Sequence, residues 1–262
     1  MKIPAEFLRR IAAAAAAETL PRFRAQGAVS NKEAAGFDPV TEADQEAEQA
    51  IKSLILKEFP GHGILGEEHG IENAESRHVW VIDPIDGTRA FISGVPVWGT
   101  LVGLTIDGKA VAGLMSQPFT GELFFATDSA AHYEGPGGPR LLKTRDTTRL
   151  ADATMFTTTP ALYRGPKRAL FDRLERSVQL SRYGADCYAF AMVAAGCIDI
   201  AVDPELKPYD IVALIPIIEA AGGVVTTFDG RRAEAGGDIL ASATPELHRA
   251  AMEILNGKAS RE

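Results

Sequence analysis

The stretch Val79-Trp80-Val81-Ile82-Asp83-Pro84-Ile85-Asp86-Gly87-Thr88 is an apolar run that stops abruptly in an acidic turn. A continuous β-branched and aromatic run fits a strand buried on both faces. The loop just past such a strand is a common place for an active site. Asp83 and Asp86 are held close by the stiff Pro84 turn. Two close carboxylates repel each other unless a cation lies between them. Gly87 lets backbone approach a ligand, and Thr88 adds a hydroxyl. Carboxylates with a backbone carbonyl are hard oxygen donors, suited to Mg2+ or Mn2+ rather than zinc. Alone, Asp-Pro-x-Asp-Gly also reads as a plain surface turn.

Outward from this turn, the chain alternates helix and strand. Ala5 to about Leu20 is alanine-rich and predicts a helix. Thr41-Glu42-Ala43-Asp44 looks like a capping box opening a second helix, with Ala43, Ala47, Ile51, Leu54 and Ile55 on one face. Ile64-Leu65 predicts a short strand entering Gly66-Glu67-Glu68. Val97–Ile106 and Lys109–Met115 flank Asp107-Gly108, a hairpin signal. A further strand is expected at Glu122–Ala126. In the second half, Gly184–Gly196, Asp210–Ala221 and Pro245–Leu255 read as helices. Ile198–Val202, Val224–Phe228 and Ile239–Ala243 read as strands. Pro216 should kink the Asp210 helix or shift its start. The expected fold is layered α and β, with a largely antiparallel first sheet and a more mixed second one. The turn-rich Glu134–Pro139 segment suggests a boundary near residue 145, giving subdomains 1–145 and 146–262.

Bulk properties narrow the function. The chain has 262 residues, 46% hydrophobic and 24% charged, as expected of a packed protein. Its formal net charge of -8 offers no basic footprint for nucleic acid. An anionic substrate would therefore need local neutralisation, such as a metal ion. Glu6, Arg9, Arg10 and Glu18 interrupt the N-terminal alanine run, so it reads as an amphipathic helix, not a signal peptide. With no apolar run of membrane length, a cytoplasmic location is expected. Cys187 and Cys197 are too few for a disulfide framework and read as buried small hydrophobes.

Acidic residues fall at the structural breaks: Asp44, Glu67, Glu68, Asp83, Asp86 and Asp210. Singly, Asp44 and Asp210 read as helix caps and Glu67-Glu68 as a solvated loop. Jointly, the segments Asp38-Pro-Val-Thr-Glu-Ala-Asp44, Gly66-Glu-Glu68, Trp80-Val-Ile-Asp-Pro-Ile-Asp-Gly-Thr88 and Tyr209-Asp210 resemble the motif series of the inositol monophosphatase superfamily. The resemblance runs from about residue 5 to 255. It implies an αβαβα sandwich, a homodimer and a Mg2+-dependent phosphatase holding two to three ions, with Mn2+ as a substitute. Glu67, Asp83 and the Ile85 carbonyl would hold one ion; Asp83, Asp86 and Asp210 would hold a second, with Asp83 shared. Thr88 and Glu67 would orient the attacking water, and Asp44 would hydrogen-bond Thr88. Lys32 resembles a loop lysine that closes over the site. Two ions can clamp the attacking and leaving oxygens of an in-line displacement. Neither cysteine receives a nucleophilic role.

Substrate choice is finer. Arg89-Ala90-Phe91, Tyr209 and Gly184-Ala185-Asp186 depart from the inositol phosphatase pattern. Asn31-Lys32, Gly36–Asp44, Tyr183-Gly-Ala-Asp-Cys-Tyr188 and Leu206-Lys-Pro-Tyr-Asp210 resemble the histidinol-phosphate phosphatase branch. Asp186 and Asp203 would then face the cationic leaving group, and Arg182 would contact phosphate, alongside Asp86, Gly87 and Thr88, or orient this wall. Helix capping for Asp186, a turn with Pro204 for Asp203 and a surface ion pair for Arg182 are the competing readings. The alternative activities are hydrolysis of inositol-1-phosphate or other sugar phosphates. A catalytically silent phosphate-binding homologue would lack a ligand or Thr88, and all are present.

Overall fold

A computed structural model describes residues 3–25, 29–31, 39–127 and 130–257. Two sheets dominate. The first has eight strands between Gly63 and Leu141, antiparallel except where Gly63–Gly66 runs parallel to His78–Asp86. The second has five strands between Thr154 and Ser242, and mixes parallel and antiparallel pairs. The strand His78–Asp86 is interior, paired on one side with Gly63–Gly66 and on the other with Gly99–Ile106.

Period-two alternation along the strands builds the layers. On His78–Asp86, Trp80 and Ile82 pack on one side with Leu8, Ile11, Ile51 and Ile55 of the helices Ala5–Thr19 and Glu42–Glu58. Val81 faces the other way, into a core with Phe190, Ile211, Leu214 and Ile218. The second sheet repeats the pattern. Ala201 joins that middle core, whereas Ile200 and Val202 pack outward with Phe171 of Pro166–Ser177 and Leu247 of Pro245–Leu255. Helices outside, between and beyond the two sheets make the αβαβα sandwich. Residue 145 lies in the connection between the sheets, yet the middle core draws side chains from both halves.

Thr41 caps the second helix as its sequence suggested. Its hydroxyl accepts the Ala43 N–H, and its own N–H donates to Asp44. Asp107-Gly108 makes the expected hairpin, both with positive φ. The predicted Asp210 helix is two short helices, Pro208–Ile211 and Leu214–Ala220. Pro216 has no N–H for the carbonyl of Val212, so the chain breaks there. The break packs tightly on the first sheet: a Cβ on Gly113 would lie 2.0 Å from the Ala213 carbonyl oxygen. This close approach carries Asp210 to the end of the His78–Asp86 strand. Cys187 is buried as expected, but Cys197 is exposed, because it follows Gly196 in the turn that closes its helix.

Candidate active site

The Asp83–Asp86 segment is bulged. Asp83 pairs with Leu101 and Asp86 with Gly99, so the site strand carries one residue more than its partner. Positions three apart on a regular strand face opposite sides; the extra residue brings both carboxylates to one side. Asp83 Oδ1 accepts the Ile85 N–H at 3.1 Å, and Thr100 donates its hydroxyl to the Pro84 carbonyl at 2.8 Å. Gly87 follows with φ +84°, and a Cβ there would meet Asp186 Oδ2 at 3.0 Å. Only glycine fits both the conformation and the space. Thr88 then opens a short helix and donates its hydroxyl to the Ile85 carbonyl at 3.1 Å.

Asp83, Asp86 and Asp210 offer carboxylate oxygens that all lie within 4.8 Å of one another. Asp210 is fixed by the Lys207 N–H at 2.7 Å, and Asp86 by the Cys187 N–H at 2.8 Å. Glu67 is anchored by its own N–H on the Ile82 carbonyl, one residue before Asp83. These side chains line a cavity of about 190 Å³ together with Ile85, Gly87, Thr88, Asp186 and Asp203.

Burial pushes Asp83 well above the usual carboxylate range, and the charges of Glu67, Asp86 and Asp210 push it further. Asp86 is raised by burial, then by Asp210 and Asp186. Asp210 is pushed up to about 7, first by burial. No lysine or arginine stands among the described residues lining the cavity. A crowd of carboxylates with hard oxygen donors fits a divalent cation such as Mg2+ or Mn2+, which removes both the repulsion and the cost of burial. The donor set thus fits the metal that the motifs imply.

The remaining predicted residues divide. Asp203 is buried and accepts from Thr157 Oγ1 at 2.7 Å and from Thr158 N and Oγ1 at 2.8 and 3.0 Å. Burial raises it to about 6. Asp186 lies 3.5 Å from Thr158 Oγ1, with φ +43°. Burial raises it, partly offset by Thr158 and the Arg89 charge. The expected bond between Asp44 and Thr88 is absent. Asp44 Oδ2 is taken by the Thr41 N–H and hydroxyl at 2.8 and 2.6 Å, while Thr88 donates to Ile85. Asp44 is nonetheless buried, its Oδ1 has no partner, and the nearby Glu67 charge adds to its raised pKa. Arg182 is exposed on the edge strand Leu180–Tyr183, away from the cavity lining. Lys32 falls outside the described residues. Thr158 goes unmarked in the sequence; it follows the strand Thr154–Thr157, which lacks the apolar run that marks the others.

A sequence profile of the inositol monophosphatase family matches residues 4–260. The chain belongs to that family. An inositol monophosphatase from Zymomonas mobilis superposes with a TM-score of 0.85 at 34% identity, covering 96% of each chain. The bifunctional phosphatase IMPL2 of Arabidopsis thaliana, a chloroplastic protein, is 38% identical over 236 residues, which is 84% of this chain and 66% of that one. The histidinol-phosphatase of Chlorobaculum parvum is 34% identical over 224 residues, 85% of this chain and 86% of that one. Inositol monophosphatase family enzymes are metal-dependent phosphatases, and this member carries the acidic cluster such an activity needs. Among the described residues, no helix is long and apolar enough to cross a membrane.

Proposed function

We propose that this family member is a Mg2+-dependent histidinol-phosphate phosphatase, hydrolysing L-histidinol phosphate to L-histidinol and phosphate in histidine synthesis. The observation that carries the substrate choice is the pair Asp186 and Asp203, joined through Thr158 on the wall of the acidic cavity. A carboxylate wall suits an amine and an imidazole better than it suits a ring of hydroxyls. The histidinol-phosphatase relative supports the same choice.

Glu67, Asp83, the Ile85 carbonyl, Asp86 and Asp210 would hold the ions, with Asp83 shared. Bound Mg2+ would neutralise phosphoryl oxygens and lower the pKa of a water. The chain's own groups supply the rest. Thr88 and Glu67 orient the attacking water, and the Glu67 carboxylate accepts its proton. Backbone N–H groups around Gly87 and Thr88 receive the phosphoryl group. Asp186 and Asp203 fix the cationic end, so that attack runs in line with the departing ester oxygen. The water oxygen forms the new P–O bond, and the ester oxygen leaves with its electron pair and takes up a proton. Residues 1–145 and 146–262 act as two subdomains that meet at this cavity. A homodimer is proposed on the family resemblance, and a cytoplasmic location on the sequence reading.

The second reading, inositol-1-phosphate hydrolysis, is favoured by the structural relative from Zymomonas mobilis. Initial rates on the two esters, at equal concentration with Mg2+, decide between them. We expect histidinol phosphate to be preferred by more than tenfold. A smaller preference, under about 1.4 kcal/mol of differential transition-state binding, defeats the specific assignment.

A further inference from the structure

Glu48 is fully buried on the helix Glu42–Glu58, one turn beyond Asp44. Its carboxylate serves one loop. Oε2 accepts the Glu68 N–H at 2.8 Å. Oε1 accepts the His69 N–H at 3.0 Å and lies 2.9 Å from His69 Nδ1. The loop backbone rests on the carboxylate so closely that a Cβ on Gly66 would fall 2.1 Å from Oε1. On its other side the loop is tied to the site strand by the Glu67 N–H on Ile82. Glu67 is thus suspended between a strand bond on one side and the Glu48 clamp on the other.

Burying an ionised carboxylate is costly, and such groups are often replaceable by apolar ones without loss of stability. Among the described residues, every side-chain hydrogen-bond partner of Glu48 lies within two residues of Glu67. Groups that orient metal ligands without touching the metal commonly contribute 10–100-fold to affinity. We propose that Glu48 is a positioning residue that presets the Gly66–His69 loop, so that Glu67 faces the cation site before any cation arrives. The proposal rests on Glu67 being a metal ligand.

Glu48→Gln preserves shape but turns one accepting oxygen into an NH2 group facing an N–H donor. The protein is titrated with Mg2+ by calorimetry without substrate, and exchange of the Glu68 and His69 amides is followed. The variant should fold, bind Mg2+ about tenfold more weakly and exchange both amides faster. Its kcat at saturating Mg2+ should recover to within about threefold of the unaltered protein. Unchanged Mg2+ affinity overturns the proposal, as does lost kcat that added Mg2+ does not restore. Glu67→Gln is the control. If it weakens Mg2+ binding and Glu48→Gln does not, the positioning role alone fails. If Glu67→Gln binds Mg2+ normally, the metal-ligand reading fails and takes the proposal with it. Should Glu48→Gln not fold, the unaltered metal-free protein still decides. Slow exchange at Glu68 and His69 supports the clamp; rapid exchange that slows only when Mg2+ is added overturns it.

Discussion

The Asp86 carboxylate accepts the backbone N–H of Cys187 at 2.8 Å, across 101 positions of sequence. This bond joins the acidic turn of the first sheet to the start of the helix Asp186–Ala194, which brings Asp186 against Gly87. The carboxylate cluster and the proposed specificity wall are therefore tied together by a direct hydrogen bond. Changes on one side should be felt on the other only through charge or substrate.

Asp83→Asn removes the carboxylate shared between the proposed ions. Turnover should fall below detection while the fold persists. The metal-free variant should melt at or above the temperature of the unaltered protein, because a carboxyl whose ionisation burial and its acidic neighbours oppose is gone. The stabilisation by Mg2+ should be lost. Thermal unfolding with and without Mg2+ checks both; wild-type-like turnover contradicts the assignment.

Thr88→Ala should lower kcat by roughly 100-fold if, as proposed, the hydroxyl orients the attacking water. The Mg2+ concentration for half-maximal activity should move less than about threefold, since the Ile85 carbonyl loses only one donor. Steady-state kinetics across a Mg2+ series separates the two effects.

Asp203→Asn tests the specificity wall. The amide keeps an oxygen for Thr157 and the Thr158 N–H, and its NH2 can donate to Thr158 Oγ1. The fold should hold, since a carboxylate raised to about 6 by burial is costly when ionised. The KM for histidinol phosphate should rise about tenfold or more, and that for inositol-1-phosphate should change little. Equal changes for both esters would remove Asp203 from substrate recognition.

Acid sensitivity should arise partly far from the site. His248 is buried, with Nε2 2.9 Å from Thr226 Oγ1 and Nδ1 3.2 Å from Ser242 Oγ. Burial lowers it to about 4. A depressed histidine is neutral in the fold and charges more readily when unfolded. Its contribution is present above the unfolded value of about 6.5 and is lost as pH falls toward 4. Between pH 7 and 4.5, His248→Gln should lose about 2–3 kcal/mol less stability than the unaltered protein. Denaturant unfolding at the two pH values measures the difference.

The sequence was most legible where local chemistry and tertiary demand agree. Val79–Ile82 could only be an interior strand, Thr41-Asp44 a cap, and Asp107-Gly108 a hairpin turn. The order of acidic residues at strand ends pointed to a cation site before any geometry was known. Legibility failed where distant packing decides. Whether Thr88 meets Asp44 depends on where its hydroxyl donates, and the Ile85 carbonyl of its own turn takes it. Thr158 enters the cavity wall only because Asp203, 45 positions away, reaches back to it. Glu48 reads as one more acid on a polar helix face, and its burial becomes visible only once the Glu68 and His69 amides are seen on it.

Asp83, Asp86 and Asp210, with Glu67, are proposed to cage divalent cations. Crystals grown with Mn2+ and measured at its absorption edge test this directly. An anomalous peak is expected among these side chains, about 2.0–2.3 Å from oxygens of Asp83, Asp86 and Asp210. A well-ordered cavity with no such peak at saturating Mn2+, or an ion bound by other residues, would contradict the account.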